Sequence, residues 1–509
     1  MDLSKLAKPV RFDDKATCLA ESTRLLNDST FNKKYPALAV VTLTTKEEII
    51  KHIHPRIEYF HKNKKSKKPV PRSNLFKSDI DTLFSNRKLK IYDTDNKQAT
   101  YNTIDYVFDQ FLRGMFVQIL NNKIYTFVAL HNVEPNARIK LSDHLQYDPA
   151  RYKNKDDFIE KVNRELFRNY KLIKRKEDSI YFTNCAINLW ENSNESETLT
   201  DWIYTIQYDY LTELLKHRKV NDCEFMLNFK DQVMLLKDGT SDPHYHIIGN
   251  MTTQMKRKYL PFIPILNNGS HNQFADIAIP TDDDWEIITN KIFLGQCRNS
   301  YVDVDRQINR DYDSKIPTCI FRGGATGCGV TIKDNPRLKA AFLTTKYYKH
   351  PKYGMNNDFD SHLYLDARLI SFKIRPKKHY SNKYVTVVDP KTLPVRLTKK
   401  MTLGEITNYK YILSIEGNVA QFRLTFELSY NSVLLLVKSN HYVWVQPLLK
   451  PWIHYVPIKT DLSDLMEKIH WCKTHDDKCK IIAQNALDFY NKYINEDAVY
   501  DYMQTLFSL

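Results

Sequence analysis

Between residues 409 and 438 the hydrophobic pattern changes its period twice. A short apolar run, Tyr411–Ile415, predicts a strand that ends at the turn Glu416-Gly417-Asn418. Apolar residues at positions 419, 422, 426 and 430 then recur at the three- to four-residue spacing of one helix face. The continuous apolar run within Ser432–Lys438 predicts a buried strand. Strand, turn, helix and strand in this order predict a βαβ unit.

The turn of this βαβ unit is a candidate anion site. The predicted helix begins at Asn418, and the N–H groups and dipole of a helix N-terminus attract anions. The segment also carries Arg423, whose guanidinium is suited to binding a phosphate group. On the pattern alone, an ordinary βαβ core with a solvated arginine is an alternative of about equal weight.

Strand and helix signals alternate through most of the remaining chain. The main ones are the helix Trp202–His217, the strands Glu224–Phe229 and Phe262–Leu266, the strand Thr318–Arg322, the helix Pro336–Thr344, and the closing helices Asp461–Thr474 and Cys479–Tyr493. Two successive regions of this kind predict an α/β protein with two Rossmann-like lobes facing a cleft. We expect residues 151–305 to form the first lobe and residues 306–509 the second.

Residues 1–150 show a different pattern. Asp105–Gly114 reads as a helix, and the runs Phe116–Leu120 and Ile124–Leu130 flank an asparagine turn that predicts a β-hairpin. No chemical motif stands out there. We therefore expect an additional N-terminal α+β region with an accessory role.

Composition limits the class of protein. With 509 residues, 42% hydrophobic and 27% charged, the chain is long enough for two or three folded domains. The net charge of +15 is dispersed and suits a polyanionic partner such as a sugar nucleotide or a nucleic acid. The sequence predicts no membrane span and no signal peptide. Its eight scattered cysteines favour a reducing compartment, so we expect a cytoplasmic protein.

A glycine-rich loop follows the predicted strand Thr318–Arg322. Four of the chain's 12 glycines lie between positions 323 and 329, and Arg322 precedes them. Small residues let backbone N–H groups approach an anion, and an arginine supplies a planar donor fork. The loop nearly fits a nucleotide-binding P-loop, but Val330 stands where the lysine is needed, which argues against an NTPase. A tight turn without function is the remaining alternative.

Asp231 is the candidate general base. It lies just past the carboxyl end of the predicted strand Glu224–Phe229, where cleft residues of α/β proteins are found. A carboxylate there can take the proton from an attacking hydroxyl group. Taken alone, an aspartate after a strand is more often a turn or cap residue.

Two metal-site alternatives compete with this interpretation. Asp303-Val304-Asp305 and Asp93-Thr94-Asp95 match the short acidic pattern that can hold Mg²⁺ or Mn²⁺, a pattern that arises often by chance. Cys472, His475 and Cys479 share one helical face, but zinc sites usually have more closely paired ligands. We expect no metal, because arginines can neutralise a bound anion themselves.

Several short motifs occur in the same order as in one enzyme family. They resemble glycosyltransferase family 90, which includes Rumi-like protein O-glucosyltransferases, fungal capsule-associated proteins and relatives in large DNA viruses. The resemblance covers about residues 180–505 in patches, through Phe321-Arg322-Gly323-Gly324, Lys410-Tyr411-Ile412, Glu416-Gly417, Phe422-Arg423, Leu449-Lys450-Pro451-Trp452, His454-Tyr455-Val456-Pro457 and Thr460-Asp461-Leu462. It implies a GT-B-like fold and an inverting glycosyltransferase.

The resemblance also assigns roles to residues. It implies Asp231 as the base, and a donor site for a UDP-sugar, most often UDP-glucose or UDP-xylose, with a hydroxyl of a protein or glycan as acceptor. The implied donor-binding residues are Arg322, Gly323, Gly324, Arg337, Asn418, Val419, Ala420, Gln421, Phe422 and Arg423. No cofactor beyond the sugar nucleotide is expected.

Two other functions stay open at this point. The chain could be a family member that has lost catalysis and acts as a scaffold, or a basic nucleic-acid-binding protein, although no nucleic-acid motif is found. Cellular members of the family usually work in the secretory pathway. The expected cytoplasmic location therefore fits the viral branch better, with the host cytoplasm or the virion as the compartment.

Overall fold

The structure is a computed structural model. It describes residues 11–12, 41–65, 74–111, 113–132, 149–150, 152–154, 156–157, 182–183, 186–187, 195–228, 233–239, 259–289, 292–293, 310–327, 329, 331–345, 349–350, 354–355, 364–372, 377–378, 385–386 and 392–509. The sequence also predicts a helix over Tyr152–Lys176 and a strand over Ser179–Phe182, and both lie mostly outside these residues.

Eleven strands build the two main sheets, and two further strands, β6 and β12, pair with each other. They are β1 (Thr42–Leu43), β2 (Arg113–Leu120), β3 (Lys123–His131), β4 (Cys223–Asn228), β5 (Ile265–Asn267), β6 (Ser270–His271), β7 (Ile277–Ala278), β8 (Ile316–Gly324), β9 (Leu365–Ser371), β10 (Tyr409–Ser414), β11 (Val433–Val437), β12 (His441–Tyr442) and β13 (Val456–Ile458). Further two-residue strands pair locally.

The helices lie on the faces of these sheets. They are α1 (Lys46–His52), α2 (His54–Asn63), α3 (Ile80–Leu83), α4 (Lys97–Tyr106), α5 (Glu195–His217), α6 (Asp282–Thr289), α7 (Pro336–Leu343), α8 (Leu403–Ile406), α9 (Leu424–Glu427), α10 (Leu465–Thr474), α11 (Asp476–Tyr493) and α12 (Glu496–Phe507). Helix α1 begins with a capping box, in which Thr45 and Glu48 satisfy each other's backbone N–H groups.

The first sheet has six strands in the order β7-β5-β4-β2-β3-β1. Strands β2 and β3 form the predicted hairpin, and Asn121 and Asn122 adopt positive φ angles of 52° and 59° in its two-residue turn. Strand β2 also pairs antiparallel with β4, whereas β4, β5 and β7 run parallel to one another. The sheet is therefore mixed.

This pairing corrects one expectation about domain organisation. Strands from residues 42–131 and from residues 223–278 share a single sheet, with Met115 of β2 opposite Leu227 of β4. The described part of the expected accessory region, 1–150, is thus built into the lobe expected for 151–305. The expected helix Asp105–Gly114 is confirmed only in part: α4 ends at Tyr106, a π-helical turn spans Val107–Phe111, and β2 already begins at Arg113.

The second sheet has five parallel strands in the order β9-β8-β10-β11-β13. Its apolar residues alternate between two cores. Ile320, Ile412 and Leu434 pack on the side of the first sheet, and Phe321 and Leu413 pack against the helices on the opposite face. The parallel pairing of β10 with β11 confirms the strands of the predicted βαβ unit. The chain is thus a mixed α/β protein.

The two sheets are joined by buried contacts. The carboxylate of Asp284, in α6, accepts hydrogen bonds from the Thr425 hydroxyl of α9 and, at 3.1 Å, from the Trp444 indole N–H. Strands β6 and β12 also pair, with His271 opposite His441. Within the described residues, no helix combines the length and the apolarity that crossing a bilayer would require.

Candidate functional site

A cavity of about 400 Å³ opens at the carboxyl ends of β8 and β10. This is the edge of a parallel sheet at which α/β proteins usually bind ligands. We call it the main cavity. All ten residues expected to bind a donor line it, namely Arg322, Gly323, Gly324, Arg337, Asn418, Val419, Ala420, Gln421, Phe422 and Arg423. Residues almost 100 positions apart are therefore brought to one surface.

Arg322 is a buried cation in the wall of the main cavity. It is only 8% exposed. One Nη donates to the carbonyl oxygens of Phe321, at 2.9 Å, and Asp366, at 2.6 Å, and the other pairs with the Asp366 carboxylate at 2.6 Å. Its Nε is buried and has no hydrogen-bond partner among the described residues. A buried unpaired donor is costly, so this N–H is suited to a ligand that supplies an acceptor.

Arg337 ties two segments of the cavity wall together. It follows Asn335, whose side chain caps α7 by accepting from the Arg337 and Leu338 N–H groups. Its guanidinium donates to the carbonyl oxygens of Glu416, Ile415 and Gly324 and to the Thr326 hydroxyl, at 2.8–3.1 Å. The group thus links the glycine-rich loop to the end of β10, and most of its donors are already used within the protein.

The segment 418–423 is not the helix that its periodicity predicts. The helix α9 begins only at Leu424, is four residues long, and has Arg423 at its N-cap. Tertiary hydrogen bonds hold the preceding residues in an irregular turn instead: Asn418 accepts from the Gly327 N–H at 3.4 Å, and Gln421 accepts from Ser414 and donates to the Val437 carbonyl. The expected helix N-terminus at Asn418 is therefore wrong, and the polar groups of this turn face the cavity as a loop.

Arg423 is more accessible than Arg322. About a fifth of its side chain is exposed, and one Nη donates to the Arg322 carbonyl at 3.0 Å. Its Nε lies 3.9 Å from the carboxylate of Glu427, which is buried and accepts from the Ser414 hydroxyl. No described residue accepts a hydrogen bond from the second Nη. The hydrogen bond to the Arg322 carbonyl and the nearby Glu427 carboxylate hold Arg423 without using all its donors.

Several residues that line the main cavity were not predicted from the sequence. They are Thr326, Ile370, Ser371, Lys400, Met401, Leu403, Ile406, Ser414, Ile415, Gly417 and Glu427. Glu427 stands four residues after Arg423, a helical ion-pair spacing that could have been noticed. The segment 400–406 carries a capping box between Thr402 and Glu405 that predicts α8, but nothing local relates it to the cavity.

The expected base, Asp231, lies outside the described residues. The chain is described up to Asn228 and again from Val233. The buried Asp276 carboxylate accepts from the Met234 and Leu235 N–H groups at 2.8 and 2.9 Å and from the Asn267 amide at 3.1 Å. Burial raises the pKa of Asp276 to about 6 against the opposing effect of these hydrogen bonds. Asp276 thus anchors the segment that follows position 231.

The first sheet contacts the wall of the main cavity through the loop after β5. A Cβ atom on Gly269 would lie 3.0 Å from the Ala420 Cβ and 3.5 Å from the Phe422 ring. There is no free space for a side chain at Gly269, because the two segments are already in contact. The loop after β5 therefore packs directly on the turn 418–423.

The metal-site alternatives gain no support from the described geometry. No group of three or more possible metal-ligating side chains is found among the described residues. Cys472 and Cys479 are buried in the core, and the His475 ring stacks on Trp471 at 4.7 Å. Asp95 lies 3.3 Å from the Lys64 ammonium. The pattern at 303–305 lies outside the described residues.

Comparisons with known proteins agree with these features. The sequence model of the family described as Glycosyl transferase family 90 matches residues 194–509. Uncharacterized protein 179R of Invertebrate iridescent virus 6 is 35% identical over 460 residues, which is 81% of this chain and 37% of that protein. Protein O-glucosyltransferase 2 of Danio rerio is 38% identical over 298 residues, which is 58% of this chain and 49% of that protein. The chain spans less than half the length of either relative.

Proposed function

The chain belongs to glycosyl transferase family 90, and from this premise we propose that it transfers a sugar from a UDP-sugar to a hydroxyl group of a protein or glycan. The observation that carries the proposal is the convergence of all ten expected donor-binding residues on the main cavity, with buried Arg322 and accessible Arg423 in its wall. UDP-glucose and UDP-xylose are the donors proposed first. Danio rerio protein O-glucosyltransferase 2, one of the similar proteins, is named for glucose transfer.

Donor binding is proposed to rest on the diphosphate. The Arg322 Nε and the uncommitted Nη of Arg423 would donate to phosphate oxygens, while the turn 418–423 and Gly323-Gly324 let the backbone approach closely. Arg337 would act by holding both wall segments in place. These cations would stabilise the charge of the departing diphosphate, so the reaction would need no divalent metal.

The chemical step is proposed to invert the anomeric centre. Asp231 would accept the proton of the acceptor hydroxyl as its oxygen attacks the anomeric carbon. The bond from that carbon to the diphosphate oxygen breaks on the opposite side, and its electron pair leaves with UDP. A single displacement of this kind forms no covalent sugar–enzyme intermediate.

The architecture proposed for this reaction is GT-B-like. Residues 306–509 would carry the donor, and residues 151–305, together with the strands contributed by 42–131, would carry the base and meet the acceptor. We further propose that the protein works in a reducing compartment, the host cytoplasm or the virion. The described cysteines Cys223, Cys319, Cys472 and Cys479 are free, which is compatible with that setting.

Release of UDP tests the proposal. The purified chain is incubated with a panel of UDP-sugars and acceptor peptides or glycans, and UDP formation and UDP binding are measured separately. Asp231→Asn should abolish UDP release while leaving UDP affinity within about twofold, and Arg423→Ala should weaken UDP binding about tenfold or more. Asp95→Asn, which changes an exposed carboxylate outside the lining of the main cavity, is the matched control and should change neither.

The outcomes separate the candidate functions. UDP binding without sugar transfer to any acceptor would favour the scaffold function. If UDP and UDP-sugars do not bind at all, the proposal is wrong, and salt-dependent binding to nucleic acid would then be the function to measure.

A further inference from the structure

A second cavity, of about 460 Å³, lies on the outer edge of the parallel sheet. It is enclosed by the end of α7, strand β9 and the segment 394–398, which bridges to β9 where the Thr398 N–H donates to the Leu369 carbonyl at 2.8 Å. Its described lining residues are Ala341, Thr344, Thr345, Ala367, Arg368, Pro394, Val395, Arg396, Leu397 and Thr398. The two cavities share none of these residues.

The charged residues in the described lining of the second cavity are all positive. Two of the described lining residues are arginines and none is acidic. Arg368 pairs through its Nε with the Asp366 carboxylate at 2.7 Å, and no described residue accepts from either of its Nη atoms. Arg396 is exposed and has no hydrogen-bond or ion-pair partner among the described residues. Both guanidinium groups therefore retain donors for an anion.

The remaining lining is mostly apolar. Ala341, Ala367, Val395 and Leu397 contribute carbon surface, and the Thr398 hydroxyl adds a polar group. The volume is in the range of small-molecule sites, and guanidinium forks with a hydroxyl suit the oxygens of a phosphate group. From this arrangement we propose that the second cavity binds a small phosphate-bearing molecule with an apolar body, at a site distinct from the main cavity.

The position of Arg368 links this site to the main cavity. Asp366 pairs with Arg368 on one side and with Arg322 on the other, at 2.7 and 2.6 Å. A phosphate group bound at Arg368 would therefore be separated from Arg322 of the main cavity by the Asp366 carboxylate. The inference does not rest on the proposed function, because no residue of the main cavity is needed to form the second one.

Binding of phenyl phosphate and of inorganic phosphate tests the site. The intact chain is first saturated with UDP to fill the main cavity, and each probe is then titrated calorimetrically at constant ionic strength. Phenyl phosphate should bind one additional site with a Kd on the order of 1 mM or tighter. Inorganic phosphate should bind more weakly, because it lacks the group that would cover the apolar lining.

Two variants make the test specific. Arg396→Ala should weaken phenyl phosphate binding about tenfold, because it removes one charged hydrogen-bonding partner. Lys399→Ala removes the same charge from an exposed residue of the same segment outside the lining, and should change the affinity less than about twofold.

Three results would overturn the proposal. These are no binding of phenyl phosphate to the UDP-saturated chain, equal losses in both variants, and equal affinities for the two probes. Should UDP itself not bind, the same titrations on the unliganded chain still decide the question. The proposed function would then fail independently of this site.

Discussion

At the scale of single residues, the arginines of the main cavity differ in what holds them. Arg322 is committed to Asp366 through both Nη atoms but keeps a buried, unpartnered Nε. Arg423 lies beside the buried carboxylate of Glu427 and has N–H donors available to the cavity. Arg337 donates most of its hydrogen bonds to backbone carbonyls. One residue type therefore serves as a buried donor, an accessible cation and a structural tie within one cavity.

Arg337→Lys tests the structural tie. Lysine keeps the positive charge but cannot bridge Glu416, Ile415 and Gly324 from one planar group. We expect UDP affinity to fall about tenfold and the free energy of unfolding to fall by about 1–3 kcal/mol, because buried carbonyls lose charged donors. Calorimetric UDP titration and urea unfolding measure the two effects.

Arg310→Lys is the control for this substitution, since that arginine is exposed and lines neither cavity. It should leave UDP affinity and stability unchanged. If Arg337→Lys instead loses UDP affinity with full stability, Arg337 contacts the donor directly, as the family resemblance implies.

At the scale of elements, the strands were predictable and the turn between them was not. Apolar runs identified β4, β8, β10 and β11 within a few residues, since continuous burial in a parallel sheet leaves a strong local pattern. The residues 418–423 have helical periodicity as well. Their conformation is decided by hydrogen bonds to Gly327, Ser414 and Val437, which are distant in sequence or on other elements.

The candidate site was also predicted only in part from the sequence. Its arginines and glycines were found from the sequence because their chemistry is visible in short motifs. Lys400 and Ser371 were missed because only tertiary packing brings β9 and the segment before α8 to the cavity. The single sheet shared by β2 and β4 was missed for a similar reason, because pairing across about 100 residues leaves no local trace.

The strand pair β6–β12 joins the two sheets and carries a pH-sensitive group. His271 is 1% exposed, and its ring lies 4.6 Å from the His441 ring. Burial lowers the pKa of His271 to about 3, and the charges of His441 and Lys237 add to the effect. The pKa of His271 in the folded state is below its unfolded value of 6.5. The contribution of His271 to the free energy of unfolding is therefore fully present above pH 6.5 and is lost as the pH falls toward 3.

We therefore expect acid to weaken this junction. Between pH 7 and pH 5 the His271 group alone should lower the free energy of unfolding by about 2 kcal/mol. Urea unfolding at both pH values measures the change. His271→Gln should remove about that much of the pH dependence, whereas His52→Gln, which removes an exposed imidazole, should not. An unchanged slope in His271→Gln would show that this histidine does not unfold with the junction.

At the scale of the whole molecule, the end of the chain returns to the first sheet. Helix α12 follows the second sheet in sequence, yet the Tyr502 hydroxyl donates to the Ala278 carbonyl at 2.7 Å and the Phe507 ring stacks on Phe225 at 4.9 Å. Arg218, just after α5, pairs with Asp501 at 2.9 Å. The half of the molecule that contains the first sheet is therefore completed by the last residues of the chain.

Tyr502→Ala tests which half this helix stabilises. The side chain is 1% exposed among Phe76, Phe84 and Trp444, so its removal should cost about 3–5 kcal/mol, whereas Tyr502→Phe loses only a hydrogen bond worth about 1 kcal/mol. Hydrogen exchange locates the loss. Amides of β4 and β5 should exchange faster in Tyr502→Ala, while those of β10 and β11 keep their protection. Equal acceleration in both sheets would mean that they unfold as one cooperative unit, and the lobes would then not be independently stable on either side of the main cavity.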